Sequence, residues 1–315
     1  LRDRVSGTRG ANLLLAPLER EAETHAAYEL PTERRGIIRV GPLHVVVGDP
    51  FGLAEVRVEA TGVSELTVYP RVDDVTAVPL TSGTDPHAGA DHPNNLSPAG
   101  DDFFALREYT VGDDLRRVHW PSTAHHDHLM VRQDELPWQG RATIFLDVRE
   151  GGLPASAIEP AVSAAASLLR ACRRRNHQVR LVTTDGLDSG FGDAHAQVEA
   201  MMEHLAVVEP SRLDDLRPAL ARLSRTAGGS LVALLPASAP HADLARLQRL
   251  RNRYGRVTIV LFERSSWSAE ALDEDTGPPG TGAAVRVSRR RPFPVAWEES
   301  LQTPRGPRPR PVPAR

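Results

Sequence analysis

Lysine is absent from this sequence of 315 residues, and all 38 basic residues are arginine. Its absence excludes a Schiff-base lysine and the phosphate-binding lysine of a P-loop. Cys172 is the single cysteine, so no disulfide can form within the chain. No run of about 18 apolar residues occurs, which excludes a membrane-spanning helix in this stretch of sequence. With aromatic residues also scarce, at 5%, the core must be mainly aliphatic.

The remaining composition is that of a folded globular protein. Hydrophobic residues make up 40% and charged residues 25%, while 26 prolines and 24 glycines indicate many turns. The net charge of -3 gives no overall signal for nucleic acid. Two arginine triplets, Arg173–Arg175 and Arg289–Arg291, lie far apart in sequence and lack interleaved aromatic residues. We therefore predict no nucleic-acid partner.

Residues 1–80 have the pattern of a small antiparallel domain. Short runs rich in β-branched residues lie between turn signals, and Val56 and Val58 alternate with Arg57 and Glu59. This pattern predicts a partial domain resembling a β-sandwich over residues 1–80. The next stretch, 81–100, is rich in proline and glycine and is predicted to be a flexible linker.

From residue 141 onward, predicted strands alternate with predicted helices. Residues 142–146 and 230–235 are continuous apolar runs, as in strands buried on both faces of a sheet. Between the first two strands, apolar residues recur at helical spacing from Ile158 to Cys172. The alternation predicts a doubly wound parallel sheet over 141–275, hence an α/β fold class. Its central strands are predicted to carry Ile144, Leu181, Leu234 and Val260. Residues 276–315 have room for one final strand, followed by a disordered tail rich in proline and arginine.

The segment 101–140 contains a recognisable motif. It reads Arg107-Glu108-Tyr109-Thr110-Val111-Gly112-Asp113-Asp114-Leu115-Arg116-Arg117-Val118-His119-Trp120. This motif resembles the signature of the bacterial domain of unknown function 58 family. Upstream, Asp49-Pro50-Phe51-Gly52-Leu53 and Val68-Tyr69-Pro70 are similar to two further landmarks of that family. The resemblance extends from residue 36 to residue 262.

The resemblance implies a fold and a partner rather than a reaction. It implies a von Willebrand factor A-like α/β domain and an association with a MoxR-type AAA+ ATPase. It also implies a pair of transmembrane helices upstream of this sequence, which would place the protein at the cell membrane. The cytoplasmic side is favoured because the partner hydrolyses ATP. No cofactor and no established activity come with the resemblance.

Two aspartates are candidates for a site at the ends of strands. In von Willebrand factor A-like domains the first strand often ends in Asp-x-Ser-x-Ser, whose oxygens hold Mg²⁺. Here the corresponding stretch keeps Asp147 but has Arg149 and Gly151 at the hydroxyl positions, so we predict no metal. Asp147 and Asp185 are predicted to line the strand-end crevice where open α/β sheets bind ligands. The alternative is that both carboxylates cap turns.

A histidine cluster supports a different reading. His119, His125, His126 and His128 lie close together in sequence, and Asp134 or Glu135 could complete a set of two histidines and a carboxylate. Such a set would support a metal-dependent hydrolase. Exposed polar residues in a turn are the alternative.

The motif itself is the main candidate for binding a partner. Tryptophan, tyrosine and arginine dominate the energetics of protein interfaces. The predicted partner-binding residues are Arg107, Tyr109, Asp113, Asp114, Arg116, Arg117 and Trp120. Alternatively, the segment joins the two domains and buries Trp120 between them. The leading prediction is a non-enzymatic, membrane-tethered scaffold, and the alternatives are a metal-dependent ligand-binding domain and a metal hydrolase.

Overall fold

The strands of the computed structural model form two large β-sheets and one small hairpin. The described residues are 1–16, 18–19, 21–49, 51, 53–79, 106–109, 118–126, 128–132, 140–151, 154–192, 195–213, 215–271 and 284–302. The predicted linker, 81–100, and all but the first residues of the predicted tail lie outside them.

The first sheet is antiparallel and has one long central strand. Its strands are β1 (Arg2–Val5), β2 (Ala11–Asn12), β3 (Gly36–Gly48), β4 (Glu55–Thr61) and β5 (Ser64–Val68). β3 is long enough, at 13 residues, to pair with β1 on one side and with β4 and β5 in succession on the other. The predicted antiparallel character is confirmed. The described strands form one sheet rather than two layers, because β3 pairs with three of the other four.

A short hairpin follows in the motif segment. Strands β6 (Leu106–Glu108) and β7 (Met130–Arg132) pair antiparallel, and helix α1 (Trp120–His126) lies between them in sequence. The backbone N–H of Tyr109 donates to the Leu129 carbonyl oxygen at 2.8 Å, and that of His119 donates to the Met130 carbonyl oxygen at 2.7 Å. These bonds hold the start of α1 beside the hairpin.

The second sheet is parallel and begins at residue 141. Its strands are β8 (Arg141–Leu146), β9 (Gln178–Thr183), β10 (Ser230–Pro236), β11 (Arg256–Phe262) and β12 (Ala284–Val287). Their order across the sheet is β12-β11-β10-β8-β9, and every pairing is parallel. The predicted α/β class and parallel sheet are confirmed.

One residue predicted for a central strand lies elsewhere. Ile144, Leu234 and Val260 are on interior strands, but Leu181 is on β9, at the end of the described sheet. The chain after β9 turns back along it, with isolated bridges from Val179 to Gly192 and from Val182 to Asp188. Leu181 is therefore fully buried without a second neighbouring strand. The apolar sequence of β9 therefore indicates that the strand is buried, but it does not indicate where the strand lies in the sheet.

Helices cover both faces of the parallel sheet. They are α2 (Glu159–Arg174), α3 (His195–Val207), α4 (Arg217–Arg225), α5 (His241–Arg249) and α6 (Phe293–Gln302). α2, α3 and α6 share one apolar core with alternate strand residues such as Ile144, whereas α4 and α5 pack on the opposite face with residues such as Phe145. No helix in the described part of the chain is both long and apolar enough to cross a membrane.

The extended segment 71–79 fastens the antiparallel sheet to the parallel one. Val75, Ala77 and Val78 are buried in the core beneath α2 and α6. Polar bonds run along its length. The Trp297 indole donates to the Thr76 carbonyl oxygen at 2.8 Å, and the Ser230 hydroxyl donates to that of Pro79 at 2.7 Å. Residues 71–79 therefore lie within the α/β unit although they follow the antiparallel sheet in sequence.

Candidate functional site

The strand order of the parallel sheet reverses between β8 and β10. Each of these strands pairs with the other on one side, and the chain proceeds outward from them in opposite directions. Open α/β sheets bind ligands at such a point, beyond the carboxyl ends of the strands. Asp147 directly follows β8 here, and α5 begins five residues after β10 with Asp243 in its first turn.

A guanidinium group occupies this position. Arg149 donates from Nε to Asp147 Oδ1 at 2.9 Å and from Nη2 to Asp147 Oδ2 at 2.7 Å. Its Nη1 donates to Asp243 Oδ2 at 2.9 Å. The side chains of Asp147, Asp243 and Arg149 are 2%, 7% and 10% exposed. Arg149 therefore joins β8 to α5 across the crevice.

The two buried carboxylates are balanced by two arginines. Arg246 Nη1 donates to the second oxygen of Asp243 at 3.0 Å, so among the described residues each of the two acids has an arginine beside it. Asp147 also lies 3.4 Å from the Thr184 hydroxyl, which accepts the Val148 N–H at 2.8 Å. Hydrogen bonding to Asp147 raises the pKa of Arg149 above its ordinary value. Carboxylates bound in this way form a structural ion-pair network and are poorly placed to act as general bases.

Asp185 lies at the end of β9 but belongs to a different pair. Its Oδ2 is 3.3 Å from His204 Nε2 on α3, and its Oδ1 accepts a hydrogen bond from the Thr183 hydroxyl. Burial acts to raise the pKa of Asp185, but His204 and Thr183 together outweigh it and lower the pKa to about 2. Asp147 and Asp185 thus share a sheet edge but use separate partners; Thr184, which directly precedes Asp185, contacts Asp147 through its hydroxyl.

The lowered pKa of Asp185 predicts a loss of stability in acid. A carboxylate whose folded pKa is about 2, below the usual 3.8, stabilises the fold above the higher value, and this contribution is lost as the pH falls through the lower one. Because the side chain is 26% exposed, solvent screening should limit the effect to about 1 kcal/mol. Urea midpoints at pH 4.5 and pH 2.5 measure it. Asp185→Asn and His204→Gln should each reduce the difference between the urea midpoints at the two pH values. An undiminished difference in both variants would contradict the pairing.

The described part of the motif leaves its tryptophan at the surface. Trp120 is the first residue of α1 and is 67% exposed, while Tyr109 is half-buried beside the hairpin. His119 precedes the helix, and its Nδ1 accepts the Ser122 N–H at 3.3 Å and lies 2.8 Å from the Ser122 hydroxyl. The side chain of Arg107, together with Asp113, Asp114, Arg116 and Arg117, lies outside the described residues.

The histidine cluster is only partly within the described structure. His125 and His128 are exposed, and His119 is engaged at the start of α1. The side chain of His126, with Asp134 and Glu135, lies outside the described residues. Among the described residues, no group of three or more histidine, cysteine, aspartate or glutamate side chains is arranged to hold a metal ion.

Asp243 and His204 are the site residues that sequence reasoning missed. Asp243 lies 94 residues after Arg149, and His204 is 19 residues after Asp185 on a helix with no distinctive motif. For Asp243 a usable signal existed. Asp243 lies in the first helical turn after a predicted strand. Once that strand is known to be the neighbour of β8, this turn can be placed next to the carboxyl end of β8.

Comparison with known proteins identifies one relationship. A family model described as "Protein of unknown function DUF58" matches residues 105–262, half of the chain. The match starts within the motif segment and ends with β11, so it leaves out the antiparallel sheet. No curated protein matches the chain.

Proposed function

The chain belongs to the DUF58 family of proteins of unknown function, and from this premise we propose that it is a non-enzymatic interaction scaffold. Its α/β unit is a von Willebrand factor A-like domain in which Arg149 replaces the metal. The soluble portion is tethered to the cell membrane by a segment upstream of this sequence. Its partner is a MoxR-type AAA+ ATPase, which favours the cytoplasmic side.

The observation that carries this proposal is the position of Arg149. Its guanidinium binds both oxygens of Asp147 and one of Asp243 at the point where the strand order reverses. Arg149 thereby occupies a crevice that could hold a ligand or a metal, and it links the end of β8 to α5. The parallel sheet with helices on both faces supports the von Willebrand factor A-like assignment.

Trp120 supplies the docking surface. A tryptophan that is 67% exposed is available to fill a pocket on another protein, and tryptophan is among the strongest interface anchors. Its exposure favours docking over the alternative that it joins the two domains. The surrounding motif contributes charged groups that would orient the partner.

Trp120→Ala should separate binding from folding. We expect the affinity for the MoxR-type ATPase to fall about thirty-fold, the loss of a typical hot spot, while the denaturant midpoint stays nearly unchanged. Surface plasmon resonance with the ATPase and urea unfolding measure the two quantities. Phe51→Ala is the matched control, because Phe51 is 84% exposed in the turn between β3 and β4 of the antiparallel sheet. Lost stability with unchanged affinity would place the docking surface elsewhere and make Trp120 a structural residue.

The metal-dependent alternative predicts a different response to cations. With Arg149 bound to Asp147 and no hydroxyl at residues 149 and 151, Mg²⁺ would find almost no protein ligands in this loop. We expect millimolar Mg²⁺, or a chelator, to leave the thermal midpoint unchanged, since only a ligand bound to the native state shifts it. A rise of several degrees with Mg²⁺ would instead support a metal-binding domain. The same test with Zn²⁺ examines the hydrolase alternative.

A further inference from the structure

Three helices end in arginine at the amino edge of the parallel sheet. α2, α4 and α5 each run from the carboxyl edge to the edge where the next strand starts, and their last turns contain Arg173, Arg174, Arg225 and Arg249. The turns that follow add Arg175, Arg251 and Arg253, all exposed. We call these seven arginines the arginine edge. It includes one of the triplets that the sequence left without a role.

The strands fix the position of these turns. In the sheet register, Arg141 at the start of β8 is opposite Gln178 of β9, and Ser230 of β10 is opposite Arg256 of β11. The turns directly before β9, β10 and β11 therefore meet at one end of the domain. Arg253 Nη1 donates to the Ser224 carbonyl oxygen at 2.9 Å, which ties the turn before β11 to the end of α4.

Acidic residues are absent from the described turns that lead into β9, β10 and β11, while most of the chain leading into β8 and β12 lies outside the described residues. The stretches 173–178, 224–230 and 249–256 contain no aspartate or glutamate, in a chain whose net charge is -3. Among the described acids, Asp74 pairs with Arg174 at 2.5 Å, and Glu199 of α3 is paired with His195. One basic residue at each helix end would satisfy the helix dipole. Seven exceed that requirement.

The shape and composition of the edge indicate its partner. α2 lies on one face of the sheet and α4 and α5 on the other, so the arginines spread over all three layers as a two-dimensional patch. The stretches 173–178, 224–230 and 249–256 expose no large hydrophobic side chain. Tyr254 is the one tyrosine, tryptophan or phenylalanine in them, and it is fully buried. Protein interfaces need an apolar centre, and single-stranded nucleic acid needs stacking aromatics. A flat array of phosphates needs neither.

From this arrangement we infer that the arginine edge docks on an anionic lipid surface through headgroup phosphates. Arginine binds phosphate through paired N–H donors, and each basic residue near an anionic membrane contributes about 1 kcal/mol. This contact is separate from the Trp120 docking surface and from any upstream membrane segment. It sets which end of the α/β unit faces the bilayer.

Vesicle binding by the whole chain tests this inference. The probes are vesicles of phosphatidylcholine with and without phosphatidylglycerol, at low and at high salt. We expect sedimentation with the anionic vesicles at low salt only, because salt screens exposed charges. The triple variant Arg225→Gln, Arg251→Gln and Arg253→Gln should lose at least about ten-fold in affinity. A second variant, Arg173→Gln with Arg175→Gln, removes charge from the opposite face and should also weaken binding.

The matched control removes three exposed arginines from the carboxyl edge. Arg212→Gln, Arg217→Gln and Arg289→Gln together change the net charge equally and should leave vesicle binding within about two-fold. Equal losses in both triple variants would mean that binding follows net charge alone, and the inference would fail. It would also fail if the wild-type chain does not bind anionic vesicles at low salt. Tighter binding to a short DNA duplex than to the vesicles would assign the edge to nucleic acid instead.

Discussion

Arg149→Ala should destabilise the protein by about 3–5 kcal/mol, because it leaves two buried carboxylates without their shared partner. Asp147 and Asp243 are 2% and 7% exposed, so water cannot replace the lost guanidinium fully. Their mutual repulsion adds to the desolvation of each charge. Urea unfolding at neutral pH measures the effect as a shift of the midpoint at constant slope.

Two further variants isolate the cause. Arg246→Ala removes the more exposed partner of Asp243 and should cost no more than about 1 kcal/mol. Combining Asp243→Asn with Arg149→Ala removes one of the two buried carboxylates that lost their partner. The double variant should therefore recover part of the lost stability. If Arg149→Ala were no more damaging than Arg246→Ala, the crevice would be open to water. The Arg149 network would then not be the element that joins β8 to α5.

Trp297→Ala should also destabilise the protein by about 3–5 kcal/mol, through a cavity rather than a charge. Trp297 is completely buried in α6, and its ring is stacked on Phe293 with centroids 5.9 Å apart. The indole N–H is hydrogen-bonded to the Thr76 carbonyl oxygen, so the substitution also leaves a polar group of segment 71–79 unpaired. The free energy of unfolding in urea measures this loss.

The control for this substitution lies on the same helix. Val295 is 46% exposed, and Val295→Ala should change the free energy of unfolding by less than about 0.5 kcal/mol. Trp297→Phe keeps most of the ring volume and removes the donor, so its smaller loss would separate the hydrogen bond from the packing. A Trp297→Ala variant as stable as Val295→Ala would show that α6 does not belong to the core.

Sequence patterns predicted the elements of the parallel sheet well because burial on both faces leaves a direct signal. The apolar run in β8 and the helical spacing through α2 are confirmed. Strand order left no such signal, and Leu181 was therefore predicted for a central strand. The sequence places segment 71–79 with the antiparallel domain. An extended chain held by single hydrogen bonds shows no helical or strand periodicity that would indicate where it packs.

The site was predictable only where its members are neighbours in sequence. Asp147 and Arg149 are two residues apart, and their pairing follows from opposite charge at the end of a strand. Asp243 reaches the same place through a different strand and helix, so its role depends on the strand order. The MoxR association, the membrane tether and the binding role of the motif stay predictions.

Segment 71–79 also determines how the molecule would respond to force. An AAA+ ATPase that pulled on the antiparallel sheet would load segment 71–79 together with the contacts that Arg35 makes with Glu159 of α2 and with the Leu205 carbonyl oxygen of α3. The segment lies along the core and is held near both ends, by Ser163 at Arg71 and by Ser230 at Pro79. Its contacts would therefore be loaded together in shear, not peeled apart one after another. Mechanical resistance would then be set by the rate of unfolding of the α/β core.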